Sequence, residues 1–226
     1  MNNLSVVGCG PGVERLITRE AEEAIASADV LVGSGRLLDS LRGFGCFPRG
    51  AKVVELPVTG MADAVLGVLD EIASSGGNAR VALVVSGDPG FYSLSRKVTR
   101  AFGRERVRAL PGVSSLQVLA CRLGRSWVGT ASATLHGREL PDLNDLAQKL
   151  NASDALVLLL GSGDDAVAQM KAMAEDPFLG SAWAAVGWDL GLPKEQVYEA
   201  ATLRELTRCP YVGRLALLWL ERSEDD

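Results

Sequence analysis

The sequence predicts two successive α/β domains, residues 1–113 and 114–226. Three observations predict it. Short apolar runs of strand length, such as 81–85 and 155–160, alternate with longer amphipathic segments of helical period. The runs are apolar at successive positions, as in parallel strands buried on both faces. Several of them end in glycine-rich loops, and open α/β sheets build their sites at such strand ends. Finally, the composition changes after Gly124-Arg125-Ser126-Trp127, and the alternation then starts afresh.

Leu4-Ser5-Val6-Val7 reads as the first strand, running into Gly8-Cys9-Gly10-Pro11-Gly12. Thr18 then opens a helix ending near Ala28, and Asp29-Val30-Leu31-Val32 is a second strand. This opening invites comparison with a dinucleotide-binding fingerprint, which it fails. Val13 stands where the third glycine belongs, and Gly33-Ser34-Gly35 where an acid should hold a ribose. Pro11 also removes a backbone N–H from the loop that would cradle a pyrophosphate. A short helix begins at Arg36, a third strand covers 52–56, and an amphipathic helix over 61–73 ends at Ser74-Ser75-Gly76-Gly77.

The fourth strand, 81–85, ends in Ser86-Gly87-Asp88-Pro89-Gly90-Phe91-Tyr92-Ser93. Pro89 fixes its own φ and pushes Asp88 away from the helical region, so a carboxylate is held on a stiff loop. Two readings of Asp88 stand open: a group shaping a ligand loop, or an Asx turn that caps the helix after Ser93. A helix over 94–102 and a short strand over 107–110 follow. Pro111-Gly112-Val113-Ser114-Ser115 then leads into a helix through Cys121, with Ser114 or Ser115 placed to cap it. In the second half, strands are expected at 131–135, 154–160, 184–187 and 215–220, and helices at 141–150 and 164–174. Only residues 223–226 look like a frayed acidic tail.

Composition narrows the function. The net charge of −5 argues against a nucleic-acid binder held by overall basicity. No apolar run is long enough to span a bilayer, and no signal peptide is visible, so a cytoplasmic protein is expected. The four cysteines are scattered without a C-x-x-C pair, and a single histidine excludes a histidine-rich metal centre.

Taken together and in order, the loops 8–12, 86–92 and 111–115 resemble the tetrapyrrole methylase family of S-adenosylmethionine-dependent enzymes (class III methyltransferases), over essentially the whole chain. Val32-Gly33-Ser34-Gly35-Arg36-Leu37-Leu38, Ser114-Ser115-Leu116-Gln117, Leu135-His136-Gly137-Arg138 and Asp189-Leu190-Gly191 resemble the cobalamin-pathway branch that methylates carbon 5 of the corrin precursor. The resemblance implies two α/β domains with a cleft between them, usually as a homodimer. By motif, Pro11 would line the cofactor wall, Gly87, Asp88 and Phe91 form the loop beside it, and Ser114 and Ser115 contact its methionine end. From strand ends, Leu160, Gly161, Ala185 and Gly213 would add backbone contacts, S-adenosylhomocysteine being the product. Gly161-Ser162-Gly163-Asp164 departs from the Thr-Asp pair expected there. The family's carbon-15 methylation and decarboxylation needs a separate Rossmann-type domain, so a separate partner is expected for it.

Methylation of an enamine-like carbon must end in loss of a proton. His136, the sole imidazole, is the candidate base, against a structural or substrate-carboxylate role. Between Arg96 and Arg138 nine basic residues face one acid, Glu105. These could line a rim for a polycarboxylate, with Arg36, Arg125 and Arg138 the preferred contacts because each adjoins a glycine-containing motif. Competing readings are a nicotinamide oxidoreductase, a methylase acting on protein or ribosomal RNA or on another ring carbon, and a non-catalytic tetrapyrrole-binding subunit.

Overall fold

Five strands form the sheet of the first unit, Met1–Ser114: β1 (Leu4–Gly8), β2 (Val30–Ser34), β3 (Lys52–Leu56), β4 (Val81–Val85) and β5 (Val107–Leu110). The structure is a computed structural model describing residues 3–75, 78–210 and 212–222. Gly76, Gly77 and the acidic tail, 223–226, lie outside the described residues. All pairings are parallel, in the order β3-β2-β4-β1-β5. In a dinucleotide-binding sheet β1 lies beside β2; here β4 lies between them, which agrees with the failed fingerprint.

Helices α1 (Arg19–Ala26), α2 (Gly35–Arg42), α3 (Met61–Ser74) and α4 (Ser95–Phe102) connect these strands. Alternate residues of β4 serve opposite faces, as strand geometry requires. Val81, Leu83 and Val85 pack with Val65, Leu69 and Val98, while Ala82 and Val84 pack with Ile25, Leu37 and Leu41. All five residues of β4 are buried, hence its unbroken apolar run.

The second unit, Ser115–Asp226, holds α5 (Ser115–Leu123), β6 (Thr130–Thr134), α6 (Leu143–Asn151), β7 (Ala155–Leu159), α7 (Asp164–Ala174), α8 (Pro177–Ser181), β8 (Trp183–Trp188), β9 (Gln196–Ala200), α9 (Leu203–Leu206) and β10 (Ala216–Glu221). Its sheet runs β6-β7-β10-β8-β9 and is mixed: β6 pairs parallel with β7, and β10 and β9 run antiparallel to their neighbours. Strands β6, β7 and β8 therefore point the same way, and their C-terminal ends share one edge with the start of β10. Three elements lack a strong sequence signal. Helices α8 and α9 are each about one turn long, held by Asp176 accepting from Phe178 N and Leu179 N and by Thr202 accepting from Glu205 N. Strand β9 is a half-exposed edge strand, so it carries no buried apolar run.

Beside the N-terminal ends of β2 and β4, Asp29 and Arg80 lock together. Asp29 Oδ2 accepts from Arg80 N at 2.8 Å and from Nε at 3.1 Å, and Oδ1 accepts from Nη2 at 2.8 Å. The Arg80 hydrogen bonds, side chain first and then backbone, pull the Asp29 carboxyl down to about 2. An unfolded aspartate titrates at about 3.9. Because the folded value is the lower, the stabilisation is complete above the unfolded value and is lost as pH falls through about 2. Asp29→Asn should therefore lower the urea midpoint at neutral pH, with the gap to wild type closing as the medium is acidified through that window. A gap independent of pH would show that the carboxylate charge contributes nothing.

Candidate functional site

Because β4, β1 and β5 are adjacent, the loops that follow them meet. Gly10 and Gly87 exchange backbone hydrogen bonds: Gly10 N donates to Gly87 O at 3.2 Å, and Gly87 N to Gly10 O at 2.7 Å. Gly87 has a φ of 68°, a conformation natural to glycine. The third loop enters the same contact. A Cβ on Gly112 would stand 2.4 Å from Gly87 O and 2.7 Å from Gly8 O, so only glycine permits this approach.

Asp88 braces the assembly. Its Oδ1 accepts from Gly90 N at 2.7 Å, and its Oδ2 reaches across to accept from Gly112 N at 3.1 Å. The Asx turn is present, but Asp88 does not cap the following helix. That helix starts at Ser95, whose N–H donates to Ser93 Oγ at 3.1 Å. Pro11 and Phe91 are half-buried nearby in sequence, and Phe91 packs edge-on to Tyr92 at 4.8 Å between ring centroids. Ser114 is buried, and Ser115 opens α5. Arg36, on the first turn of α2, donates from Nη2 to Ser86 Oγ at 2.6 Å, which ties it to the loop after β4. Cys9 lies inside this floor; burial, reinforced by the neighbouring Cys46, pushes its thiol up to about 12, so it is no nucleophile at neutral pH.

In the second unit a separate cluster forms where β6, β7 and β8 end. His136, just past β6, is exposed, and its Nδ1 lies 3.2 Å from Leu160 O. Gly161 N donates to Gln169 Oε1 at 2.8 Å, and Gln169 Nε2 donates to Leu135 O at 3.2 Å. Gln169 was not among the residues singled out from the sequence. A signal was there: positions 166, 169, 170 and 173 share one face of α7, and Gln169 is the polar residue among the buried Ala166, Met170 and Met173.

At the corner from β8 to β10, Asp189 has a φ of 48° and is buried. Its Oδ1 accepts from Leu215 N at 3.0 Å and its Oδ2 from Arg214 N at 3.2 Å. A Cβ on Gly213 would lie 2.6 Å from that Oδ2. Leu160, Gly161 and Gly213 thus occupy one edge of the second sheet. Ala185 does not: it sits inside β8, paired with Trp219 on one side and Glu199 on the other.

The basic residues divide. Arg138, in the turn after His136, is exposed. Arg125, grouped with it by sequence, lies at the opposite end of the sheet. Its Nη2 is 3.4 Å from Glu221 Oε2 and its guanidinium 4.9 Å from the Trp183 ring, beside the last residue of β10 and the first of β8. The two arginines are thus separated by the length of β6. Much of the local basic excess is neutralised by acids from elsewhere in the chain: Lys97 by Asp63, Arg108 by Glu20 and Arg122 by Glu195. A groove of about 520 Å³ in the first unit lies at the N-terminal ends of β1, β4 and β5, away from the loops. Of its arginines, Arg80, Arg106 and Arg108 are already paired. Among the described residues no cluster of His, Cys, Asp and Glu could hold a metal ion, and no helix is long and apolar enough to cross a membrane.

A family model described as Tetrapyrrole (Corrin/Porphyrin) Methylases matches residues 3–207. Among curated proteins, the cobalt-precorrin-7 C(5)-methyltransferase of Salmonella typhimurium is 33% identical over 137 residues, covering 60% of this chain and 62% of that protein. The match thus spans less than two thirds of that relative. Among solved structures, the methyltransferase CobJ superposes with a TM-score of 0.75 at 20% identity, over 99% of this chain and 95% of that one. The uroporphyrin-III C-methyl transferase of Thermus thermophilus, complexed with S-adenyl homocysteine, gives 0.71 at 22% identity, over 97% of each. At these identities the structural likeness is one of fold.

The brace on the first-unit loops can be tested directly. Asp88→Ala frees two backbone N–H groups, and a hydrogen bond to a charged group is worth about 1.5–3 kcal/mol. The variant should lose stability in urea and lose amide-exchange protection at Gly90 and Gly112. Asp88→Asn, which keeps one acceptor oxygen, should lose less. Wild-type protection in Asp88→Ala would reject the brace.

Proposed function

The chain belongs to the tetrapyrrole (corrin/porphyrin) methylases, and on that premise we propose that it transfers a methyl group from S-adenosylmethionine to carbon 5 of a corrin precursor in cobalamin biosynthesis. The observation that carries the reading is the interlock of the loops after β1, β4 and β5, within a family match over residues 3–207. The choice of carbon 5 is supported by the 33% identity to a C(5)-methyltransferase.

The residues present suit the cofactor. Pro11 and Phe91 offer apolar walls, and Gly87 and Asp88 make a loop whose backbone is already fixed. Helix α5 begins directly after the third loop, so Ser114, Ser115 and its first-turn N–H groups suit the carboxylate of a methionine moiety. When bound, S-adenosylmethionine supplies an electrophilic methyl group on a sulfonium centre. The protein's task is to orient, and orientation is worth roughly 7–11 kcal/mol in well-aligned systems. In the second unit Leu160, Gly161 and Gly213 are proposed to add backbone contacts; Ala185 would act only through the packing of β8. His136 is proposed to take the proton released from the methylated carbon, at Nε2. Arg36 and Arg138 are proposed to meet carboxylates of the precursor. Homodimerisation, a cytoplasmic setting and a separate protein for carbon-15 methylation and decarboxylation belong to the same proposal.

The test has a binding arm and a turnover arm. Calorimetry should show binding of S-adenosylhomocysteine and none of NADH; the reverse would end the reading. Incubation with methyl-labelled S-adenosylmethionine and the cobalt-containing or metal-free precursor should place label at carbon 5 without release of carbon dioxide. Label at another ring carbon would keep the family and reject the position. Arg138→Ala should raise the KM for the tetrapyrrole and weaken its salt dependence. Arg125→Ala, at the other end of the sheet, should leave both unchanged.

A further inference from the structure

One peptide unit, between Leu160 and Gly161, lies between two side chains. Its carbonyl oxygen faces His136 Nδ1 at 3.2 Å, and its N–H donates to Gln169 Oε1 at 2.8 Å. A carbonyl can only accept, so the proton of a neutral His136 ring must sit on Nδ1. Nε2 is then left with a lone pair on an exposed ring. That is the form of imidazole able to accept a proton.

What keeps the carbonyl aimed at the ring is not the strand. Leu160 N is tied to Ala216 O at 3.1 Å, but the next residue is glycine, which lets a peptide rotate at little cost. Gln169 opposes that rotation, and the amide flip is unambiguous. Gly161 N can only donate, so it faces Oε1; Leu135 O can only accept, so it faces Nε2. Leu135 also directly precedes His136 and donates its own N–H to Leu159 O at 2.7 Å. One side chain on α7 therefore fixes both the carbonyl that receives the imidazole proton and the chain segment that carries the imidazole. A Cβ on residue 161 would fall 2.8 Å from Asp165 Cβ, so glycine here also lets α7 come close enough for Gln169 to reach.

We propose that Gln169 is a positioning residue that holds the Leu160–Gly161 peptide so that His136 carries its proton on Nδ1 and presents Nε2 as the proton acceptor. The catalytic meaning of this rests on the methyltransferase reading; the tautomer itself does not, and it can be measured without substrate.

His136 is the sole histidine of the chain, so selective ¹⁵N labelling yields one imidazole spectrum. In alkaline buffer, with the ring neutral, the wild type should show a protonated Nδ1 and an unprotonated Nε2. Gln169→Leu, which suits the apolar face of α7, should lose that pattern in favour of Nε2–H or a mixture. Gln169→Glu, which keeps an acceptor for Gly161 N but gives up the donor to Leu135 O, should retain more of it than Gln169→Leu. An Nε2–H ring in the wild type, or an unchanged pattern in a folded Gln169→Leu, would overturn the proposal. Should Gln169→Leu not fold, Gln169→Ala takes its place, with loss of the pattern expected and an unchanged pattern overturning the proposal. With the corrin precursor, kcat of Gln169→Leu should fall on the order of tenfold or more, since general base catalysis contributes about 10²–10⁴. If the tautomer shifts as stated and turnover is unaffected in both Gln169→Leu and His136→Ala, the positioning stands and the base role of His136 falls.

Discussion

Gly10 and Gly87 exchange their backbone N–H and C=O groups just beyond the ends of β1 and β4, and the first unit's candidate site depends on that exchange. It turns two neighbouring loops into a short antiparallel bridge laid past a parallel sheet. The bridge leaves Gly87 O at the surface against which Gly112 closes, and Asp88 then needs only one carboxylate to tie the loops after β4 and β5. The side chains proposed to meet a ligand are mounted on backbone whose polar groups are largely spent on itself. Rigidity of that kind suits a reaction in which alignment is the chief requirement.

The second unit holds its loops by other means. There the strand ends are joined through side chains: Gln169 links the segments after β6 and β7, and Asp189 links the end of β8 to the start of β10. Side-chain ties are local and separable, so each can be removed without dismantling its neighbour. In the first unit Asp88 is such a tie, but Gly10 and Gly112 accept no Cβ without displacement of main chain, since it would meet Leu16 O at 2.6 Å and Gly87 O at 2.4 Å.

Most of the strands were legible from the sequence, because a strand buried on both faces must be apolar at every position, as 81–85 is. The site loops were legible for a related reason: a turn at a parallel strand end that must pass close to another backbone needs glycine. What could not be read was where loops distant in sequence meet. Arg125 and Arg138 both adjoin glycine motifs, yet they lie at opposite ends of one sheet, since a strand intervenes between them. Ala185 was placed at a strand end and lies within the strand, because β8 extends to Trp188. Gln169 was overlooked because one polar residue on a helix is usually solvated; only its apolar neighbours mark it. Strand β9 and the short helices α8 and α9 are specified by caps and edge pairing, which leave little trace in hydrophobic pattern.

The position of β4 also has a consequence for how the chain is made. Strand β1 pairs only with β4 and β5 among the described strands, and β2 reaches the rest of the sheet only through β4. A nascent chain emerging from the ribosome through Leu56 can form a β2–β3 pair, but β1 has no partner to receive it. The pairing of Val6 with Leu83 and of Val7 with Val84 waits until Val81–Val85 emerges and enters between β1 and β2. Non-local pairings of this type are slow to form and leave strand edges open meanwhile. Assembly of the first unit is thereby set by the arrival of a strand synthesised late, and the loops around Gly87 are delivered in the same event that completes the sheet.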